Sequence, residues 1–286
     1  MNTDLLLKDA EQTLVAVNER FGWQGDEDDQ AWDILAHVLG RQPDPDEDLP
    51  LEVAYKFDEL VKRRSTGEPM AFILGWVDFL DFKMSIEPGA FIPRLTSEFL
   101  AKQAIRRIRK RSRPVHIDLA CGIGPVAIGS ARKVPQAEVY GVDISRKAVR
   151  QAQANALKLG APNAKFFKGD MFEPLPESIR GRVDVITIHP PYVPKDEVAD
   201  LPEEIKQYEP SHTLTDTSVD GLGLTRRVID EGRRWLGPNG WVLIEIVPTE
   251  SNIVRKMFRS HGFEEVRSTH GDLKLTRVIC GKLPKK

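Results

Sequence analysis

Apolar residues recur at helical spacing in three stretches near the start of the chain: Leu6, Ala10, Leu14 and Val17; Ala31, Ile34, Leu35 and Val38; then Val53, Phe57, Leu60 and Val61. Residues spaced by three or four positions share one face of a helix. Three one-sided helices bury those faces best against each other, so residues 4–64 are predicted to form a small bundle. The run RQPDPDEDLP between the second and third stretches is acidic and broken by prolines, which makes it a solvated loop.

From Met70 to Ile92 the apolar positions shorten in period and turn aromatic. Phe72, Trp76, Phe79, Phe82 and Phe91 alternate with Gly75, Pro88 and Gly89, a pattern that predicts hairpin strands linking two domains. The aromatic rings are assigned to packing. A helix over Ser97–Arg109 follows, and then strands and helices alternate. Strands are predicted at 115–119, 138–142, 165–168, 183–188 and 241–247, and helices at 126–133, 146–159 and 222–236. The chain closes with a helix at 253–261 and strands at 264–268 and 276–280. This order specifies an α/β fold with a doubly wound, mostly parallel, seven-stranded sheet. The domain division read from it is a helical bundle at 1–68, a hairpin linker at 69–92 and an α/β domain at 93–286.

Composition narrows the picture without redirecting it. With 286 residues, 41% of them hydrophobic and 29% charged, the chain is long enough for one large and one small domain. No stretch approaches the roughly 18 apolar residues of a membrane span, and the start MNTDLLLKDAEQ lacks the basic-then-apolar order of a signal peptide. A cytoplasmic location is therefore expected. Cys121 and Cys280 are the two cysteines, and six histidines lie scattered, so neither a disulfide framework nor a metal site is expected. A formal charge of −2 argues against an extended phosphate-tracking surface. The basic run RRIRKRSR at 106–113 is read as a solvated helix end whose cations complement the helix dipole.

Ligands of doubly wound sheets sit at the carboxyl ends of the strands, which directs attention to Asp118-Leu119-Ala120-Cys121-Gly122-Ile123-Gly124. The small Ala120, Gly122 and Gly124 admit close backbone approach, and the helix beginning at Pro125 aims its amides at the ligand. A tight strand-to-helix turn would look the same in isolation. Asp143, closing the second strand in VYGVDIS, adds a carboxylate placed to accept the hydroxyls of a ribose, as in nucleotide-binding α/β domains generally. Asp170, in GDMF after the third strand, stands where methyltransferases place an acid that contacts an adenine amino group, although an exposed turn aspartate would look the same. After the apolar strand VDVITI comes His189-Pro190-Pro191-Tyr192. Two prolines stiffen this turn and leave carbonyls free of competing amide donors, so it presents rigid acceptors to a substrate nitrogen beside a stacking Tyr ring.

Taken in order, these segments resemble the release-factor glutamine methyltransferases, the HemK or PrmC family of class I methyltransferases. The resemblance extends to Gly67-Glu68-Pro69 with Gly75, to Ile92-Pro93-Arg94 with Ser97-Glu98, to Tyr208-Glu209-Pro210, to Asp220-Gly221-Leu222 and to Gly271-Asp272 before Thr276-Arg277. It implies S-adenosylmethionine as methyl donor, bound by Asp118, Ala120 to Gly124, Asp143, Asp170, Met171 and His189. It also implies a protein acceptor, the release factor, held at Arg94 and the HPPY turn, with His189, Pro190 and Tyr192 closest to the chemistry and the helical domain helping to hold the protein. Two positions depart from the family. Ala120 replaces a glycine, a mild change provided its φ is negative. His189 replaces the Asn of NPPY, exchanging an amide's donor and acceptor for an imidazole with one of each on opposite edges.

Because a histidine ordinarily titrates near neutrality, His189 is expected either to orient the acceptor or to serve as a general base. Other readings remain: the same donor with a small-molecule acceptor or another nitrogen or oxygen nucleophile, methylation of a nucleic-acid base, a cofactor-binding but inactive interaction protein, and a nicotinamide dehydrogenase. The last lacks its fingerprint, since Ala120, Gly122 and Gly124 do not form GxGxxG.

Overall fold

The structure, a computed structural model, describes residues 1–21 and 27–285. Residues 22–26, within the predicted bundle stretch, and residue 286 lie outside the described residues. The chain divides into two compact units: residues 1–77 with 86–89 and 200–209, and residues 78–85 with 90–199 and 210–286.

In the first unit α1 (Thr3–Phe21), α2 (Glu27–Leu39) and α3 (Leu51–Ser65) bury the three apolar faces read from the sequence. Leu14, Ile34, Leu35 and Phe57 are almost completely enclosed, and each contributes about 1.5–3 kcal/mol of hydrophobic stabilisation. The acidic loop between α2 and α3 is less solvated than its composition suggests. Leu49 is buried, its N–H donates to the Met1 carbonyl, and Thr3 Oγ1 donates to the Glu47 carbonyl at 2.9 Å.

A short helix, α4 (Met70–Leu74), occupies the start of the segment predicted as hairpin strands. Pro69 precedes it in an extended conformation, its carbonyl accepts from the Phe72 and Ile73 amides, and Gly75 at φ +75° ends it. The run Phe72-Ile73-Leu74 is buried as a helical turn, an outcome that a short apolar run does not reveal by its period. The hairpin itself is β1 (Trp76–Phe79) with β2 (Phe82–Ser85).

In the second unit α5 (Ser97–Ile108) leads into β3 (Val115–Leu119), α6 (Pro125–Lys133), β4 (Glu138–Asp143), α7 (Arg146–Lys158), β5 (Ala164–Lys168) and β6 (Val183–Ile188). The helix α8 (Glu203–Tyr208) belongs to the first unit. The chain then returns through α9 (Gly223–Trp235), β7 (Leu236–Ile246), α10 (Ser251–Ser260), β8 (Glu264–Thr269) and β9 (Arg277–Lys282). The sheet order is β5-β4-β3-β6-β7-β9-β8, parallel except where β9 runs against β7 and β8.

All five residues of β3 are buried, as a central parallel strand covered on both faces requires. Val115, Ile117 and Leu119 join the core beneath α9 and α10, whereas His116 and Asp118 project to the other face. Hairpin residues 78–85 pack on that other face: Lys133 Nζ bridges to Asp81 at 2.9 Å, and Arg132 lies over the Phe82 ring. The basic run also differs from its reading as a solvated end. Arg107 sits 4.4 Å over the Trp241 ring and Arg111 pairs with Asp184, so two of its cations fasten α5 to the sheet.

Candidate active site

Strand order reverses between β3 and β6, since β3 to β5 run out one way and β6 to β7 the other. A crevice opens at the carboxyl ends of strands at such a switch point. The turns after β5, β4, β3 and β6 carry Asp170, Asp143, the Ala120–Gly124 loop and His189 respectively, and they lie side by side.

Around the turn after β3 the side chains of Asp118, Cys121 and Ile123 are buried and Gly124 is enclosed against Phe166 and Ile128, which leaves Ala120 and Gly122 as its partly exposed residues. Gly122, at φ +55°, has open space where a Cβ would stand. Its N–H donates to Asp143 Oδ2 at 2.8 Å, while Asp143 Oδ1 accepts from the Ser145 amide at 2.8 Å. The same carboxylate thus ties the loop after β3 to the start of α7. Burial pushes the Asp143 carboxyl above its ordinary range, and the two amides pull it back.

Ala120 does not have the negative φ that would have made its replacement of glycine mild; it sits at φ +50°. Met171, after β5, is buried at φ +51°. Left-handed backbone costs a non-glycine residue about 1–2 kcal/mol, and strain of this kind collects at sites where a ligand must meet the main chain. The Asp170 carboxylate is bridged by Arg227 of α9, whose Nη1 lies 3.0 and 2.9 Å from its two oxygens.

Asp118 turns inward. Its Oδ1 accepts from Thr187 Oγ1 at 2.6 Å, the Ala127 amide of α6 also donates to it, and Thr187 Oγ1 meets His116 Nε2 at 2.9 Å. Burial raises the Asp118 carboxyl to about 7 and lowers the His116 imidazole to about 3. Both groups are therefore neutral in the folded chain over a range where both are charged when unfolded. Folded Asp118 keeps a proton that the unfolded chain sheds above about pH 4, so its contribution to stability grows as pH falls from 7 to 4. Folded His116 refuses a proton that the unfolded chain binds below about pH 6.5, so its contribution shrinks as pH falls. The two slopes, about 1.4 kcal/mol per pH unit each, cancel between about pH 4 and 6.5. Relative to wild type, Asp118→Asn is expected to lose stability as pH falls through that window and His116→Gln to gain it, as measured by urea unfolding. Slopes of the same sign in the two variants would show that this pair is not titrating as described.

At the end of β6, His189 is enclosed on several sides. Its Nδ1 lies 3.0 Å from Ser97 Oγ, at the first turn of α5, and 3.7 Å from Glu245 Oε2, near the end of β7. Phe91 meets the imidazole edge-on and Tyr192 stacks on it, each with ring centroids 5.6 Å away. Arg94 lies 4.8 Å over the Phe91 ring. Burial lowers the His189 pKa, Glu245 pulls it up, and Arg94 pushes it down. Thr276 Oγ1 donates to Glu245 Oε1 at 3.0 Å, while the buried Oε2 makes no hydrogen bond among the described residues.

The turn is held from behind. Tyr192 bridges Thr215, and the Val193 amide donates to the Leu214 carbonyl at 3.0 Å. The segment that supplies these partners ends at Gly221, where an added Cβ would stand 2.0 Å from the Tyr192 carbonyl oxygen.

Glu245 is absent from the site residues predicted from sequence, and Ser97, Thr187 and Gly221 had no role of their own among them. Glu245 did leave a signal, as a single acid inside the apolar run Trp241-Val242-Leu243-Ile244-Glu245-Ile246-Val247. An acid at a buried strand position needs a partner or a task.

The chain matches two family models, a methyltransferase domain over residues 110–264 and the PrmC N-terminal domain over residues 6–75. It is 34% identical to the release factor glutamine methyltransferase of Bordetella pertussis, over 87% of this chain and 93% of that one. It is 32% identical to the 4-amino-L-phenylalanine/4-methylamino-L-phenylalanine methyltransferase of Streptomyces pristinaespiralis, over 80% of this chain and 78% of that one. Its fold matches a methyltransferase of Pyrococcus furiosus with a TM-score of 0.52 at 15% identity, covering 70% of this chain and 88% of the other.

Proposed function

The chain belongs to the family of release factor glutamine methyltransferases and is an S-adenosylmethionine-dependent enzyme, and from that premise we propose that its acceptor is the side-chain amide of a glutamine in a peptide chain release factor. One observation carries the choice of acceptor. The resemblance runs through the PrmC N-terminal domain as well as the catalytic one, and covers nearly the whole of both chains. A cytoplasmic location belongs to the same proposal, since it follows from a release factor as acceptor. No helix among the described residues is long and apolar enough to cross a membrane.

The donor supplies a methyl on a sulfonium, already activated for displacement, so the chain's task is to hold, align and exclude water. The open backbone at Gly122 and the strand-end carboxylate of Asp143 suit a nucleoside. In this reading Asp143 takes the ribose hydroxyls, Asp170 and Met171 the adenine, and the Ala120–Gly124 backbone the rest of the donor, above the supports Asp118, Cys121 and Ile123. The Pro190 carbonyl accepts one N–H of the acceptor nitrogen, with Pro191 keeping the turn rigid. Tyr192 packs on the acceptor group, Arg94 flanks it, and His189 orients it. The helical unit helps hold the release factor.

A second reading, a small-molecule amine acceptor, is favoured by His189 in place of Asn and by the likeness to the aminophenylalanine enzyme. Purified protein incubated with labelled S-adenosylmethionine and a release factor is expected to place the label on one glutamine, and Gln→Ala at that residue to remove it. Label recovered from a cell extract only in the small-molecule fraction would transfer the assignment to the second reading.

A further inference from the structure

We propose that Glu245 and His189 form a charge-paired dyad in which Glu245 fixes the Nδ1–H tautomer, leaving Nε2 to take the proton of the acceptor nitrogen. The proposal rests on the reading of the HPPY turn as the acceptor site. It makes Glu245 a positioning residue and His189 the base.

Four separated segments converge on this cluster: Ser97 from α5, His189 after β6, Glu245 from β7 and Thr276 ahead of β9. Thr276 spends its hydroxyl proton on Glu245 Oε1, which leaves Oε2 as a fully buried carboxylate oxygen facing His189 Nδ1 across 3.7 Å. A buried charged oxygen without a donor costs several kcal/mol unless a positive or proton-bearing group faces it. A proton on Nδ1 meets that need. There it donates to Ser97 Oγ at 3.0 Å and sets the positive edge of the ring toward Oε2. A proton on Nε2 instead would point the Nδ1 lone pair at the carboxylate, two negative ends at close range in a dry site.

The neutral imidazole therefore carries its proton on Nδ1, and Nε2, on the opposite edge, is a proton acceptor. An Asn at this position has no such capacity, so the departure from NPPY and the buried acid form one arrangement. Protonation of Nε2 gives an imidazolium that pairs with Glu245, the logic by which a buried carboxylate supports a catalytic histidine.

The balance is simple. The electron pair of the acceptor nitrogen forms the new N–C bond, and the S–C pair remains on sulfur. The N–H pair returns to nitrogen as that proton passes to Nε2. The imidazolium then releases the proton to solvent. The net products are the methylated acceptor, S-adenosylhomocysteine and one proton.

The first measurement needs no substrate. Long-range proton–nitrogen correlation spectra of the histidine-labelled protein, with His189→Asn used to assign the signal, are expected to show His189 as the Nδ1–H tautomer, and Glu245→Gln to shift it toward Nε2–H. An Nε2–H wild type, or a folded Glu245→Gln protein with an unchanged tautomer, overturns the proposal.

The second measurement is kinetic. Glu245→Gln keeps a side-chain oxygen for Thr276 and removes the charge, so kcat is expected to fall roughly 100-fold with the acceptor KM little changed. The acid limb of its pH profile is expected to move to lower pH, because Glu245 no longer holds the imidazole up against burial and Arg94, the other charged group acting on it. Loss of activity with an unmoved limb, or a His189→Ala protein with full activity, counts against the dyad. If the wild type transfers no methyl to a release factor, the acceptor assignment falls while the tautomer measurement still decides the dyad.

Discussion

Gly221→Ala is expected to lower kcat/KM for methyl transfer by roughly 100-fold or more while leaving binding of S-adenosylhomocysteine close to wild type. The Cα of Gly221 packs against the back of the acceptor turn, where a new Cβ would lie 2.0 Å from the Tyr192 carbonyl oxygen, 2.7 Å from its carbonyl carbon and 3.1 Å from the Pro194 nitrogen. All three are backbone atoms, so no side-chain rotation relieves the clash. The backbone of Gly221 is also left-handed, at φ +66°, which adds about 1 kcal/mol for alanine.

Relief requires the turn to move away from Gly221 or the segment 214–221 to move with it. That segment is pinned at its far end: Asp216 Oδ2 accepts from the Leu224 amide of α9 at 2.7 Å, and the Lys195 amide donates to the Ser218 carbonyl at 3.2 Å. The turn yields instead, and a displacement of about 1 Å at Pro190 is enough to misalign an in-line displacement. Overpacking of this kind also costs about 1–3 kcal/mol of stability. Calorimetric titration with S-adenosylhomocysteine beside the kinetic assay separates the effects. An alanine variant with wild-type kcat/KM would mean that the acceptor turn is not held by this contact.

The legible and illegible parts of the molecule divide along physical lines. Strands such as Val115–Leu119 and Val183–Ile188 were readable to the residue because each is a short segment rich in Val, Ile and Leu between turn-forming residues, alternating with amphipathic helices. Met70–Leu74 was not, because five apolar and aromatic residues carry no period, and their helical turn is set by the capping geometry at Pro69 and Gly75. The strand-end acids could be placed because topology puts every β-to-α turn at one edge of the sheet.

What sequence could not supply was the direction of each side chain. Asp118 and Asp143 look equivalent as acids closing adjacent strands. One turns inward to Thr187 and α6, and the other reaches across to Gly122. Likewise the cost of Ala120 hung on a φ that the sequence does not give, and which is +50°, and the partner of His189 lay 56 residues away on a strand whose acid looked like an interruption of the core. Pairings between β6 and β7 are decided by register, which no local pattern encodes.

Asp143→Ala is expected to weaken binding of S-adenosylhomocysteine by roughly 100-fold to 1,000-fold, about 3–4 kcal/mol, while costing the unliganded protein little stability. The two halves have different causes. For the ligand, the variant loses a charged acceptor for the ribose hydroxyls, worth about 1.5–3 kcal/mol, and it frees the Gly122 amide that the carboxylate holds at 2.8 Å. The Ala120–Gly124 backbone then has a wider range of positions, and the affinity that came from its being pre-organised is lost as well. For the unliganded fold, the raised pKa of Asp143 means that its ionised form is held less comfortably there than in water, burial outweighing the amides of Ser145 and Gly122. The carboxylate therefore contributes most to stability below the unfolded pKa, where it is protonated, and less as pH rises toward neutrality. Asp143→Asn sharpens the distinction. It retains the size and one acceptor oxygen, so its unliganded stability at neutral pH is expected to equal or exceed wild type, with an affinity between those of wild type and the alanine variant. Calorimetric affinities and urea unfolding of the three proteins decide the matter. An Asp143→Asn protein that binds as tightly as wild type would remove the carboxylate's charge from the account of nucleoside recognition, leaving the β4 turn with a purely structural role.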